Sequence, residues 1–378
     1  MPAESHPHNM TRARVQRLQE QIVKANLDVV AVVPGPNMYY LTGLYFHLSE
    51  RPTVAFFPAD AQPIFIVPAL EEGKMQNTPY DVRYFTYDDV EGPANAFQQV
   101  AEALQLSGKS LGVEGRRIRF LELDLLDRTS NGSSRVSNAD AVIAELRMRK
   151  DKTELEQMQQ AVTIAQQALE ATLPKVKPGV TEKEIAAELT LQLLRAGSES
   201  ELPFAPLIAS GPNGANPHHF PSDRVIKPGD LVIFDWGAST NGYFSDITRT
   251  FAIGGAQIVP ELKQAYQAVQ TANQAGRDAA KPGAIGQDVD RAAREAINSA
   301  GFGKYFIHRT GHGLGLEGHE EPDMKEGALM PLEPGMTFTV EPGIYMSGLG
   351  GIRIEDDVVI TKTGSESLTT LPRELITL

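Results

Sequence analysis

Several acids stand inside or at the ends of apolar, strand-like runs, where an uncompensated negative charge is costly to bury. Asp235 closes Leu231-Val232-Ile233-Phe234, and Asp246 follows eleven residues later in Ser245-Asp246-Ile247-Thr248. Glu341 closes Met336-Thr337-Phe338-Thr339-Val340, and Gly351-Ile352-Arg353-Ile354-Glu355-Asp356-Asp357 returns with a further carboxylate. Five of the eight histidines fall between His218 and His319, three of them in the glycine-rich stretch from His308 to Glu320. The chain has no cysteine, so thiolate metal sites, disulfides and a cysteine nucleophile are excluded. Carboxylates with imidazole form a hard, oxygen-rich donor set, better suited to two divalent ions of the manganese or cobalt kind than to a single structural zinc. Two such ions lower the pKa of a shared water and clamp the oxygens of a hydrolytic transition state, so the chemistry implied is metal-assisted hydrolysis. The structural alternative is that Arg249 and Arg353, in the same runs, neutralise these acids as salt bridges.

The elements that must position these residues can be read from turns and repeats. Asn241-Gly242 is a strong hairpin signal, and a hairpin here presents Asp235 and Asp246 from neighbouring strands. Lys177-Pro178-Gly179-Val180 introduces a helical segment to Ala196, and Lys281-Pro282-Gly283-Ala284 introduces another to Ala300, an offset of 104 residues. The stretch from Ile226 to Asp235 is echoed by Leu332 to Glu341 at an offset of 106. Near-equal offsets predict two similar halves about a pseudo-twofold axis, with Asp235 and Glu341 at equivalent places. Trp236, the next residue on the strand after Asp235, faces the other way and is expected in the core.

Four glycines within Gly311 to Gly318 disfavour a helix there and predict a loop or irregular strand through which the backbone approaches something closely. Gly313 to Gly318 matches G-x-G-x-x-G, but His319-Glu320-Glu321-Pro322 is a poor start for the helix that dinucleotide binding requires. Neither H-E-x-x-H nor G-x-S-x-G occurs, so zincin and serine-hydrolase readings lack their motifs.

The first part of the chain alternates helix and strand. Val15, Leu18 and Ile22 recur at helical spacing, Asp28 to Val33 reads as a strand, and Thr53 to Phe57 with Pro63 to Val67 reads as a strand pair. Helical stretches follow near 94–106 and 120–129, giving an α/β domain over residues 1–145. A charged run from Glu145 to Lys152 precedes a long helical pattern from Thr153 to Leu173, and the second domain is placed at 146–378. His6 and His8 are expected in a solvated tail.

Across 378 residues, 48 acids against 35 bases give a formal charge of −13, with 41% apolar and 22% charged residues. That acidic balance gives no electrostatic reason to bind nucleic acid or an anionic membrane. No run approaches the roughly 20 apolar residues of a membrane span, and the polar first ten residues lack a signal-peptide core, so a cytoplasmic protein is expected.

At these residues the chain resembles the pita-bread metallopeptidases, in the two-domain branch that holds prolidase (Xaa-Pro dipeptidase), aminopeptidase P and creatinase. Asn37-Met38-Tyr39-Tyr40-Leu41-Thr42-Gly43-Leu44 is similar to the creatinase-type N-terminal domain, and the likeness runs nearly the whole length. The resemblance implies five metal ligands, in order Asp235, Asp246, His312, Glu341 and Glu355, with Asp246 and Glu355 bridging two ions. It implies manganese, with cobalt or zinc as alternatives. His319 then steadies the tetrahedral intermediate, His218 contacts substrate with adjacent His219 as the other register, and His308 lines the proline pocket. Arg353 is tied to substrate or to the metal-site carboxylates.

The implied reaction is attack of a bridging hydroxide on the carbonyl before proline, with Glu341 carrying the proton to the proline nitrogen. The substrates implied are proline-containing dipeptides or short peptides, and the family implies a homodimer. Prolidase must also read a free carboxylate, for which His47 and Arg51 are candidates. The alternatives are aminopeptidase P, acting on longer Xaa-Pro peptides, and a metal-free binding protein on the same fold. Methionine aminopeptidase is disfavoured by the long N-terminal domain, and creatinase because it works without metals.

Overall fold

The computed structural model describes residues 6–130 and 132–378, and the chain divides between Arg147 and Met148. Each unit is built around its own sheet system. The first begins with α1 (His6–Lys24), whose Val15, Leu18 and Ile22 are buried as the spacing predicts. His6 and His8 therefore belong to a helix and not to the expected tail. There follow β1 (Val29–Val32), α2 (Pro36–Thr42), β2 (Val54–Pro58), β3 (Ile64–Pro68), β4 (Arg83–Tyr87), α3 (Ala94–Leu104), β5 (Ser110–Val113), α4 (Phe120–Thr129), β6 (Arg135–Asn138) and α5 (Asp140–Arg147). The strands form one mixed sheet in the order β4-β3-β2-β1-β5-β6. β1 to β3 are buried on both faces, which is why they read as continuous apolar runs and not as alternating ones. The Asn37-to-Leu44 motif is α2 with its exit turn. Asn37 Nδ2 donates to Glu114 at 2.7 Å, Thr42 Oγ1 donates to Met38 O at 2.6 Å, and Gly43 closes the helix in the left-handed region at φ 70°.

The second unit opens on α6 (Lys152–Thr172). Asp151 accepts from the Glu154 amide at 3.0 Å and Glu154 accepts from the Asp151 amide at 2.8 Å, a reciprocal capping box. Then come α7 (Glu182–Ala196), β7 (Leu207–Ser210), β8 (Leu231–Trp236), β9 (Ser239–Thr240), β10 (Tyr243–Phe244), β11 (Ile247–Ala252), α8 (Pro260–Ala279) and α9 (Gly286–Ser299). The remaining strands are β12 (Gly311–Gly313), β13 (Glu320–Met324), β14 (Thr337–Val340), β15 (Gly343–Met346), β16 (Gly350–Arg353), β17 (Asp356–Ile360) and β18 (Ser365–Ser367). The sheets run β11-β8-β7 and β13-β12-β14-β17-β18, with β9·β10 and β15·β16 as separate ribbons.

The repeat is visible bond by bond. Gly179 N donates to Ile226 O at 3.0 Å, and Gly283 N donates to Leu332 O at 2.9 Å. Ile226 N returns to Val180 O at 2.8 Å, as Leu332 N does to Ala284 O at 2.7 Å. Antiparallel β7-β8-β11 matches antiparallel β12-β14-β17, and Val232 opposite Phe251 matches Phe338 opposite Val358. In that register Asp235 and Glu341 are equivalent, as expected. Glu355, however, corresponds to Thr248, and Asp246 to Arg353, so the second acid of each half is not placed by the repeat. Among the described residues, no helix is long and apolar enough to cross a membrane.

Candidate active site

β8 and β11 place Thr248 opposite Asp235 and Ile247 opposite Trp236. Trp236 turns inward, fully buried, and donates to Ala165 O at 2.9 Å. The Asn241-Gly242 turn, with φ of 48° and 76°, closes only the two-residue ribbon β9·β10, and the strands bearing the acids are neighbours below it. Asp246 stands just before β11, its amide donating to Asp357 Oδ2 at 3.1 Å. Glu355 stands between β16 and β17 and reaches across the halves. Its amide donates to Thr248 O at 3.1 Å, and Thr248 Oγ1 donates to its Oε2 at 2.6 Å. Glu341 follows β14, and His312 is the central residue of β12. The glycines beside His312 are dictated by close approach. A Cβ on Gly311 would lie 1.8 Å from Thr339 O, and one on Gly313 would lie 2.4 Å from the Glu321 backbone.

Asp246, His312 and Glu355 offer ligand atoms that all lie within 4.8 Å of one another. His312 Nε2 is 3.4 Å from Glu341 Oε1 and 3.8 Å from Asp246 Oδ2. Its Nδ1 faces Gly313 O at 3.1 Å, a carbonyl that can only accept, so Nδ1 carries the proton and Nε2 presents a lone pair to the acids. Burial holds His312 well below the usual imidazole range, helped by the positive field of His319. Burial and then neighbouring acids raise Asp246 and Glu355 well above the carboxylate range, and burial pushes Glu341 up to about 8. Burial also raises Asp235 against the opposing pull of Arg353. Asp235 Oδ1 is buried with no hydrogen-bond partner among the described residues. A lone pair and four acids aimed at one another, with an orphaned oxygen alongside, repel unless protons or cations lie between them. The donor set therefore fits divalent cations, whose charge inverts this pKa logic.

Beside this cluster lies a cavity of about 520 Å³, into whose wall His218, His308, Arg309 and His319 all enter. The ring of His319 lies 4.1 Å from that of His312, centroid to centroid. His218 is exposed and His219 is held at 2.9 Å by buried Glu182, and both line the cavity. His308 Nδ1 faces Arg309 O at 2.7 Å and so donates, and its Nε2 accepts from the Tyr345 hydroxyl at 2.9 Å. Burial accordingly lowers His308 to about 4, and it is neutral at physiological pH. Arg353 is buried against the cluster. It pairs with Asp235 Oδ2 through Nη2, donates to Tyr345 at 2.9 Å through Nη1, and donates to Thr248 Oγ1 at 3.1 Å through Nε. Arg249 instead serves Asp356 at 2.7 Å.

In the other unit, Arg51 is bonded to Asp89 at 2.7 and 2.9 Å and to Glu50 at 2.6 Å, and His47 packs edge-on against Tyr45. Thr248, Tyr345, Asp357 and Glu182 also support the site, and residue type alone does not mark them out. Thr248 had a signal available, because the 106–107-residue register sets it opposite Glu355's place. Glu182 reads only as an ordinary first-turn acid.

Hard ligands gathered between two like halves, beside a cleft lined by histidines, define a metallohydrolase of duplicated α/β fold. The chain belongs to metallopeptidase family M24, whose pattern matches residues 156–362, and a creatinase/prolidase N-terminal domain matches residues 14–149. It is 34% identical to the Xaa-Pro dipeptidase of Lactobacillus delbrueckii subsp. lactis, over 96% of this chain and 98% of that protein. The dipeptidase of Pyrococcus horikoshii OT3 has the same fold at a TM-score of 0.91 and 39% identity, over 97% of this chain and 100% of that one. The prolidase of Thermococcus sibiricus matches at 0.91 and 35%, over 97% and 99%. The creatinase-type α/β domain followed by a pseudo-twofold catalytic domain is thus the architecture of the chain.

Proposed function

We propose that the chain is a Xaa-Pro dipeptidase, a prolidase, that hydrolyses the bond before a C-terminal proline. The observation that carries this reading is the convergence of Asp246, His312 and Glu355 within 4.8 Å, flanked by Asp235 and Glu341. Relatives named as dipeptidases and prolidases over nearly the full length support the substrate class. Asp235, Asp246, His312, Glu341 and Glu355 would hold two divalent cations, manganese first. Held there, the cations supply Lewis acidity toward water and the scissile carbonyl.

The chain's own residues do the rest. Glu341 would take the proton given up by the attacking water and pass it to the proline nitrogen as the C–N bond breaks. His319, which burial keeps below the usual imidazole range, donates an N–H to the carbonyl oxygen as negative charge builds there. His218 contacts the substrate from the opposing loop, and neutral His308, fixed by Tyr345, flanks the proline ring. Arg353 keeps Asp235 oriented. The working form in this reading is a cytoplasmic homodimer. The test compares a Xaa-Pro dipeptide with a Xaa-Pro-Yaa tripeptide on manganese-loaded protein. Preference for the dipeptide is expected, and release of the first residue from the tripeptide at equal or higher kcat/KM overturns the reading in favour of aminopeptidase P.

A further inference from the structure

A dipeptide ends in a carboxylate one residue beyond the scissile bond, so a site selective for dipeptides needs a cation beside the proline pocket that still has donors to give. Among the described residues, the arginines in the cavity wall are Arg353 and Arg309. Arg353 has no open two-donor edge, since Nε is bonded to Thr248, Nη1 to Tyr345 and Pro217 O, and Nη2 to Asp235, leaving one of its five N–H groups. Arg309 is built differently. It follows His308 directly, its side chain is 32% exposed, and Nη1 alone is spent, on Asp323 Oδ1 at 2.5 Å. Among the described residues, its Nε and Nη2 make no hydrogen bond. Asp323, on β13 and shared with Lys325, fixes one prong of the guanidinium. The other edge of the fork remains for a planar acceptor, the geometry that favours a bidentate carboxylate.

We propose that Arg309 binds the α-carboxylate of the substrate's C-terminal proline and thereby sets the preference for dipeptides. This inference rests on the dipeptidase reading. Asp323 holds the guanidinium toward the cavity, and His308 beside it flanks the ring of the same proline. A longer peptide brings an amide to this place and forgoes the charge-assisted pair.

The experiment uses manganese-loaded full-length protein, wild type, Arg309→Gln and Arg309→Lys, with Ala-Pro and its C-terminal amide, Ala-Pro-NH₂, as paired substrates. For Ala-Pro, Arg309→Gln is expected to raise KM about 10- to 100-fold with kcat within about twofold, the loss of one charge-assisted pair. For the amide, KM changes less than about twofold, so the acid-over-amide preference collapses, and Arg309→Lys restores part of it. An unchanged KM for Ala-Pro in Arg309→Gln, or an equal loss on acid and amide that Lys does not relieve, overturns the proposal. The wild-type arm reports separately on the dipeptidase reading. If wild type cleaves neither substrate, that reading falls and this one with it. If wild type prefers Ala-Pro and Arg309→Gln keeps that preference, only the role of Arg309 falls, whereas cleavage of both by wild type without preference counts against the dipeptidase reading as well.

Discussion

Glu182 offers the sharpest perturbation, because one buried carboxylate ties down the loop that carries His218. It is fully buried at the start of α7, and its oxygens accept from Ser210 N at 2.7 Å, Ser210 Oγ at 2.6 Å, Ser222 N at 3.0 Å and Ser222 Oγ at 2.6 Å. Asn213 Nδ2 lies 3.1 Å from each oxygen, and His219 Nε2 lies 2.9 Å from Oε2. Every partner falls between Ser210 and Ser222, so the carboxylate holds both ends of the segment. Glu182→Gln keeps the volume but sets an NH₂ against the backbone N–H of Ser210 or Ser222. A hydrogen bond to a charged group contributes about 1.5–3 kcal/mol, and a buried N–H left unpaired costs about as much, so the net loss is about 3 kcal/mol. At about 2–4 °C per kcal/mol for a unit of this size, the metal-free protein should melt about 6–12 °C lower at pH 7. Burial by itself would raise this carboxyl, but the bonds from Ser210, Ser222 and His219 outweigh it and hold it below its ordinary value. Its contribution is therefore complete above the unfolded-state pKa and is lost as pH falls through the lower folded value. The gap between wild type and variant should close below about pH 4. Thermal unfolding by circular dichroism at pH 7 and pH 3.5 measures this, and the loosened loop should raise KM more than it lowers kcat. A variant that melts within 1 °C of wild type at pH 7 with the same KM rules out this role for Glu182.

Glu341→Gln should lower kcat by about 10²–10⁴ while the protein still folds, as expected for loss of a positioned proton carrier, and a steady-state assay showing full activity contradicts that role. The chelated protein should lose stability as pH rises from about 4 toward 8. Asp246 and Glu355 are raised by burial and by their acidic neighbours, and Glu341 and Asp235 by burial, so these four acids bind more protons folded than unfolded and outnumber His308, His312 and His319, whose lowered values pull the other way below about pH 6.5. Divalent cations should abolish this decline and release protons on binding. Unfolding curves from pH 5 to pH 8 and calorimetry in two buffers of different ionisation enthalpy check both effects, and a stability that rises with pH contradicts them.

The scaffold was legible because it is written in local terms. Apolar runs at β1 to β3 and β8, the Asn241-Gly242 turn and the two Lys-Pro-Gly helix entries each follow from nearest-neighbour chemistry. The duplication needed only a comparison of offsets, and the structure repeats its hydrogen bonds at Gly179 and Gly283. What stayed hidden depends on contacts between segments far apart in the chain. Glu182 meets Ser210 and Ser222 across 28 and 40 residues, and Tyr345 joins His308 across 37. The bond from His219 to Glu182 and that of Arg51 to Asp89 likewise join residues 37 and 38 positions apart. Residue type at a single position carries none of that information.

If Asp235, Asp246, His312, Glu341 and Glu355 hold two divalent cations, hydrolysis before proline should depend on those ions. The most direct measurement is metal content and Xaa-Pro dipeptide turnover on the same chelated, then manganese-reconstituted, sample. About two manganese ions per chain are expected, with turnover that appears with them, whereas a reconstituted protein that binds none, or cleaves equally well without metal, rules this out.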